Sequence, residues 1–272
     1  MPTMSHSVDL PVIETVHLSG GAKARIRRVA PERPWLWLAQ GWRDFLAAPA
    51  FGLIYGGLFA LAGALIALFV WWLGYFWTVL PIAAGFMLVA PVLAVGLYDT
   101  SRRLMRGETV APGDAFHSWS PYLARLAPMG LVLTLFLLAW IRFAQIIFAL
   151  FFSANPPRPE PLYVVDVFLS ASSIPFLAVG VVVGGVLAAF VFAISVVSIP
   201  AMVDRDINVV SAIGLSLQVV RRNFWTLALW AWLIALLAGA GLACGFIGLA
   251  VTLPILGHAT WHAYSDLVEW ED

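Results

Sequence analysis

FLAAPAFGLIYGGLFALAGALIALFVWWLGYFWTVLPIAAGFMLVAPVLAVGLY, residues 45–98, runs for 54 positions without an Asp, Glu, Lys, Arg or His. A hydrocarbon layer about 30 Å thick takes roughly 20 apolar helical residues to cross. The stretch therefore reads as two crossings, Phe51–Leu73 and Tyr75–Leu97, turning at Gly74. Residues 167–203 repeat the pattern over 37 positions, and residues 223–265 carry no acid, Lys or Arg over 43. Working outward, further spans fall at Pro128–Phe152, Ile174–Ile199, Trp225–Ala243 and Phe246–Tyr264. Backbone groups in lipid must be satisfied within the segment, so helices are required, and the polar/apolar alternation of a membrane barrel is absent. The expected fold is all-α: a polytopic membrane bundle of six transmembrane helices arranged as three hairpins.

Composition agrees. Hydrophobic residues make up 62% of the 272 and charged residues 11%, with a mean hydropathy of +0.92, where a soluble domain carries about 25% charge. Fifteen basic and fifteen acidic side chains give no net charge, which argues against a nucleic-acid partner and leaves the lipid bilayer as the expected one. The single cysteine, Cys244, excludes an internal disulfide and reads as a small packing residue.

Lys and Arg orient the spans. Lys23, Arg25, Arg27, Arg28, Arg33 and Arg43 precede the first; Arg102, Arg103, Arg106 and Arg125 lie between the second and third; Arg205, Arg221 and Arg222 lie between the fourth and fifth. The other side has Arg158 alone, and Arg142 falls inside the third span. The positive-inside rule then puts both termini in the cytoplasm. Trp71, Trp72 and Trp77 sit at the outer interface, and Trp35, Trp37, Trp42, Trp119 and Trp225 near the inner one.

Residues 1–34 are polar and aperiodic and read as a disordered cytoplasmic tail. Residues 35–268 form the membrane domain, with hairpins at about 35–99, 112–204 and 207–266. Each hairpin is expected to follow a cytoplasmic amphipathic helix. The first carries Trp35, Leu38, Trp42, Phe45 and Leu46 on its apolar stripe, with Gln40, Arg43 and Asp44 elsewhere. The second carries Ala115, Phe116, Trp119, Leu123 and Leu126; the third carries Val209, Val210, Ile213, Leu217 and Val220, capped by Asp206. Pro91, Pro200 and Pro254 lie near the inner end of the even-numbered spans, and Asp99, Asp204 and Asp266 follow as the chain leaves the membrane. These recurrences suggest one unit used three times.

Few residues invite chemistry. His258 and His262 are spaced i, i+4 and project from one helical face, a spacing at which two imidazoles can bind a metal or haem; Asp266, one turn on, is placed to orient His262. The simpler reading is that of polar-tipped rings beside Trp261 and Tyr264. Arg142 and Gln145 are intramembrane polar candidates, with Asp166 as the expected partner, and an arginine at that depth faces the bundle, lines a wet cavity or snorkels. Arg102, Arg103, Arg221 and Arg222 are candidates for a cytoplasmic interface. No phosphate-binding glycine loop, GxSxG or HExxH is present, so neither a catalytic residue nor a cofactor is assigned.

The segments QGWRDFLAAPAFGLIYGGLFAL (40–61), PIAAGFMLVAPVLAVGLYDTSRRLMRGE (81–108), SIPAMVDRDINVVSAI (198–213) and LPILGHATWHAYSDLV (253–268) resemble a bacterial family of integral membrane proteins, a domain of unknown function. The resemblance implies an inner-membrane protein of unassigned activity. Some relatives carry the label cytochrome c oxidase subunit I-like, but that enzyme needs about twice as many spans and a full set of His ligands at membrane depth. The expectation is a non-enzymatic membrane protein, a scaffold or assembly partner for another membrane protein. The alternatives are a small-solute or ion transporter with Arg142 in its path, and a protein that handles metal or haem through His258 and His262.

Overall fold

A computed structural model describes residues 11–18, 22–75, 78–153 and 173–271. Two strands, β1 (Val12–His17) and β2 (Lys23–Arg27), precede α1 (Arg33–Ala47), α2 (Pro49–Trp72), α3 (Val79–Leu93) and α4 (Val95–Met105). Short 3-10 turns at Pro112–Phe116 and Ser120–Tyr122 lead into α5 (Leu123–Phe152). Then come α6 (Ile174–Ser195), α7 (Ser198–Asp204), α8 (Val209–Arg222), α9 (Phe224–Ala243), α10 (Leu249–Leu267) and β3 (Val268–Glu271). The architecture is an all-α membrane bundle with a small sheet at its basic end.

Among the described residues, five helical stretches are long and apolar enough to cross a membrane: Pro49–Trp72, Val79–Met105, Pro112–Phe152, Ile174–Asp204 and Phe224–Ala243. The sixth expected span is different in kind. Every residue of α10 from Leu256 to Tyr264 is buried in protein, and five of them, His258, Thr260, Trp261, His262 and Tyr264, carry polar side-chain atoms. Its first half runs antiparallel to α2: Pro254 lies against Gly52, Ala250 against Gly56 and the Phe246 ring against Gly63. The turn between α9 and α10 therefore sits beside Gly63, although α2 continues to Trp72. At 1.5 Å per residue that leaves the third hairpin roughly 14 Å short of the end of α2.

The molecule has two zones. Along the spans, large apolar side chains such as Leu58, Leu65, Leu135, Leu150 and Val181 point outward, as lipid-facing surface does. At the basic end the packing closes: Val95–Ser101 of α4 and Ser198–Val203 of α7 are buried without exception. Both helices begin at a break in the helix before them, and each break is bridged by a hydroxyl from elsewhere. Tyr55 of α2 donates to the Leu93 carbonyl and accepts from the Gly96 amide. Ser216 of α8 donates to the Ala193 carbonyl at 2.7 Å and accepts from the Val197 amide at 3.3 Å. Backbone groups freed by a broken helix must find a partner at this depth, and a neighbouring hydroxyl supplies it in both hairpins.

The tail differs from expectation over its described part. β2 lies between β1 and β3, both antiparallel to it. Ala24 and Ile26 point into the core, while Arg25 and Arg27 point outward to Glu271 and Glu269 of β3, and Glu14 of β1 meets Arg222 of α8. Alternation at period two and cross-strand charge pairing order the segment. The sheet also brings the N-terminal and C-terminal strands together on one side of the bundle.

The collar differs as well. The second amphipathic segment is a pair of 3-10 turns instead of an α-helix, because Pro112 and Pro121 each remove an amide and Gly113 weakens the turn between them. The apolar stripe expected for α1 is mostly an outer face: Trp35, Trp42 and Leu46 are exposed, and the buried face is Pro34, Trp37, Gly41 and Phe45. In α8, Val210 and Leu217 are likewise exposed while Ala212, Leu215, Ser216 and Val219 are buried. The cap of α8 is Asn208, whose side chain accepts from the Ser211 amide at 2.9 Å. Asp206, the expected cap, instead stands 3.5 Å from the Arg125 guanidinium.

Candidate functional site: a polar cluster in the basic-end core

The best-formed polar arrangement lies where α1 crosses α10 against α4. Gly41 permits the crossing. A Cβ there would stand 2.6 Å from the Ile255 carbonyl oxygen and 2.7 Å from the Ala259 amide nitrogen, so the two backbones touch. That contact carries Asp44, almost one turn beyond Gly41, onto the face of α10 that bears His258 and His262. From α4, Ser101 enters the same space.

The four side chains form a chain of hydrogen bonds. The Ser101 hydroxyl donates to Asp44 Oδ2 at 2.6 Å. Asp44 Oδ2 also faces His262 Nε2 at 2.8 Å. On its other side, Ser101 Oγ is 2.8 Å from His258 Nδ1. Ser101 and His258 have no exposed surface, whereas the His262 and Asp44 side chains remain 10% and 15% exposed. With its one proton given to Asp44, Ser101 accepts from His258 Nδ1–H, which leaves Nε2 of the neutral ring a bare acceptor. That nitrogen is buried and has no hydrogen-bond partner. The order of the contacts separates this cluster from a nucleophilic triad, in which the imidazole bridges serine and carboxylate. Here serine is the bridge, and its hydroxyl is spent on the carboxylate.

Three further clasps surround the cluster. Asp266 takes Arg33 through both guanidinium contacts, at 2.9 and 3.1 Å, and the Trp37 indole N–H at 2.6 Å. It therefore locks α1 to α10 and does not orient His262; Asp44 holds that role. Asp99 accepts from Arg102 at 2.7 Å and from the Tyr122 hydroxyl at 2.6 Å. Asp204 accepts from the Tyr264 hydroxyl at 2.9 Å. The three acids marked by the sequence as hairpin exits all serve as cross-links between elements.

The other sequence candidates lie apart from the cluster. Arg142 and Gln145 are exposed on α5, and the Arg142 guanidinium donates to Gln145 Oε1 at 3.3 Å. Their side faces outward, the placement of a snorkelling arginine; Asp166 lies outside the described residues, as does Trp77. Arg102 and Arg103 are turned inward: Arg102 reaches the Val203 carbonyl as well as Asp99, and Arg103 binds Asp114 at 2.8 Å and the Thr109 carbonyl. Arg222 pairs with Glu14 at 2.7 Å, and Arg221 is exposed. Of the four expected interface arginines, only Arg221 is fully outward and without an ion pair among the described residues. His117 is exposed on its turn. Among the described residues no group of three His, Cys, Asp or Glu is arranged to hold a metal ion.

Sequence reasoning missed Asp44, Ser101, Arg33 and Trp37. The signal for Asp44 and Trp37 was present in the i, i+4, i+7, i+11 series Arg33, Trp37, Gln40 and Asp44, a second face of α1 that mixes polar and aromatic residues. For Ser101 there was none. No curated protein and no solved structure matches the chain. A family comparison reaches Ser101 but neither Asp44 nor the two histidines: residues 79–204, from the start of α3 to the end of α7, match the family described as "Predicted integral membrane protein (DUF2189)", an uncharacterised membrane domain.

Proposed function

We propose that the protein is a non-enzymatic scaffold or assembly partner, inserted in a bacterial inner membrane with both termini in the cytoplasm. The observation that carries the reading is the division of labour at the basic end. There the polar side chains are largely spent on joining α1, α4, α7, α10 and the sheet to one another, and what faces outward is a collar of Trp35, Trp42, Phe116, Trp119 and Trp225 with Arg43 and Arg221. Aromatic and arginine side chains of this kind dominate the energetics of protein contacts. The arginine asymmetry of the connecting segments supports the orientation, and the pairing of N- and C-terminal strands supports a shared side for the termini. Photo-crosslinking from position 42 or 225 in native membranes tests the reading, with position 131 on the lipid face of α5 as reference. Discrete protein adducts from the collar alone are expected; adducts to lipid only, from all three positions, would refute it.

A further inference from the structure

We infer that Asp44, Ser101 and His258 form a proton-binding relay, with His262 hydrogen-bonded to its carboxylate end. The argument begins with the unpartnered nitrogen. A fully buried ring nitrogen without a hydrogen bond is costly, and here it terminates a continuous chain of short contacts of 2.8, 2.6 and 2.8 Å.

Between Asp44 and His258 Nδ1 the chain has two hydrogen-bonding patterns that differ by one proton, and His258 Nε2 is unpartnered in both. In the first, Asp44 is ionised, Ser101 donates to it, and His258 Nδ1–H donates to Ser101. In the second, Asp44 Oδ2–H donates to Ser101, Ser101 donates to a bare His258 Nδ1, and His258 carries its proton on Nε2. To pass from one to the other, a proton binds at His258 Nε2, the Nδ1 proton moves to Ser101 Oγ, and the Ser101 proton moves to Asp44 Oδ2. Only N–H and O–H bonds change, and the cluster gains one positive charge. The reverse passage runs the same bonds backwards: the Asp44 proton returns to Ser101 Oγ, the Ser101 proton returns to His258 Nδ1, and His258 Nε2 releases one proton. The serine hydroxyl is what makes transfer concerted, because it accepts on one side as it donates on the other.

Other titratable groups near the cluster are engaged elsewhere or are tyrosines. On α1, Arg33 is held by Asp266 of α10. On α4, Asp99 is held by Arg102, and Tyr98 is buried. From α2, Tyr55 bonds the break at Leu93, and from α7, Asp204 bonds Tyr264. Asp44 is thus, among the described residues, the one carboxylate hydrogen-bonded to this pair of rings, to His262 directly and to His258 through Ser101.

The test uses the full chain in phospholipid nanodiscs, titrated with pH. Infrared difference spectra follow the Asp44 carboxyl band, identified by its loss in Asp44→Asn, and nitrogen NMR of labelled histidine follows the His258 ring, identified by its loss in His258→Gln. The native chain is expected to show one shared midpoint for both signals. Ser101→Ala is expected to split them by about one pH unit or more, the threshold at which two sites count as strongly coupled. Separate midpoints in the native chain, or a shared midpoint that survives in Ser101→Ala, would overturn the relay. Should Ser101→Ala not fold, the native titration decides alone.

Discussion

Gly41→Ala adds one methyl group where the structure has no room for it. The new Cβ would lie 2.6 Å from the Ile255 oxygen, 2.7 Å from the Ala259 nitrogen and 2.9 Å from the Ala259 Cβ. Two of these are backbone atoms of α10, which cannot rotate away. Reaching even the tight end of real contacts, 3.0–3.4 Å, means moving α1 back by roughly 0.4–0.8 Å from the 2.6 Å approach. Overpacking of this kind costs about 1–3 kcal/mol. Against it stands the helix preference of alanine over glycine, about 0.5–1 kcal/mol in favour of the substitution. The clash should win by about 1–2 kcal/mol, because the Arg33–Asp266 clasp resists the retreat of α1. Gly214→Ala in α8 is the matched control, since a Cβ at that position would meet nothing within 4 Å; there only the helix preference acts. At roughly 2–4 °C per kcal/mol, thermal unfolding in nanodiscs should show the midpoint falling for Gly41→Ala and rising by a few degrees for Gly214→Ala. Equal rises in both proteins would mean that α1 and α10 are not in backbone contact, and the placement of Asp44 beside His262 would fall with it.

Asp266→Asn removes the charge that holds Arg33 while leaving an oxygen for the Trp37 indole; with both partners about a fifth exposed, a loss of about 1–3 kcal/mol is expected, read as a lower unfolding midpoint, and an unchanged midpoint would remove the clasp from the account of stability. Ending the chain after Leu267 deletes β3 and leaves β1 and β2 as a two-stranded hairpin, which is marginal on its own. Trypsin should then cut at Arg25, Arg27 and Arg28 several times faster than in the full chain, and an unchanged cleavage rate would count against the sheet. Cys244 sits at the end of α9, exposed on the protein surface but beside the half-deep turn at Gly63. A membrane-impermeant maleimide should therefore fail to label it from either face until detergent is added, whereas labelling of intact cells from outside would restore a full-depth third hairpin.

The bundle was legible because its cause is local. A helix in lipid needs only a long enough run without charge, and residues 45–98 and 167–203 display that in consecutive letters. The third hairpin shows where the criterion stops. Its run of 43 residues is as free of acids, Lys and Arg as the others, yet His258, Thr260, His262, Tyr264 and Ser265 crowd its last third. Lipid tolerates such a group poorly on an outward face, so their concentration was the available sign that this half of α10 is wrapped in protein. The tail held a smaller sign. In KARIR the apolar residues fall at every second position, and VEWE at the far end offers the complementary charges. Each is too short to stand alone, and their pairing spans nearly the whole chain.

The site was half legible for the same reason. The i, i+4 spacing of His258 and His262 fixes a shared helical face whatever surrounds it, and that face exists. What lies across from it is set by contacts over 157 residues to Ser101 and 218 to Asp44; the periodicity of α1 marks the face that bears Asp44 but not what that face meets. The arginines illustrate the converse. Their number is a fact of composition, but Arg33 and Arg103 are consumed by carboxylates further along the chain and Arg102 by Asp99 of its own helix, which a charge count cannot reveal. A residue set that looks like an interface in sequence can therefore be internal mortar, and the surface left for recognition is decided by which arginines find no acid. Among the described residues Arg28, Arg43 and Arg221 are exposed at this end without an ion pair, and of these Arg43 and Arg221 stand within one helical turn of the exposed Trp42 and Trp225.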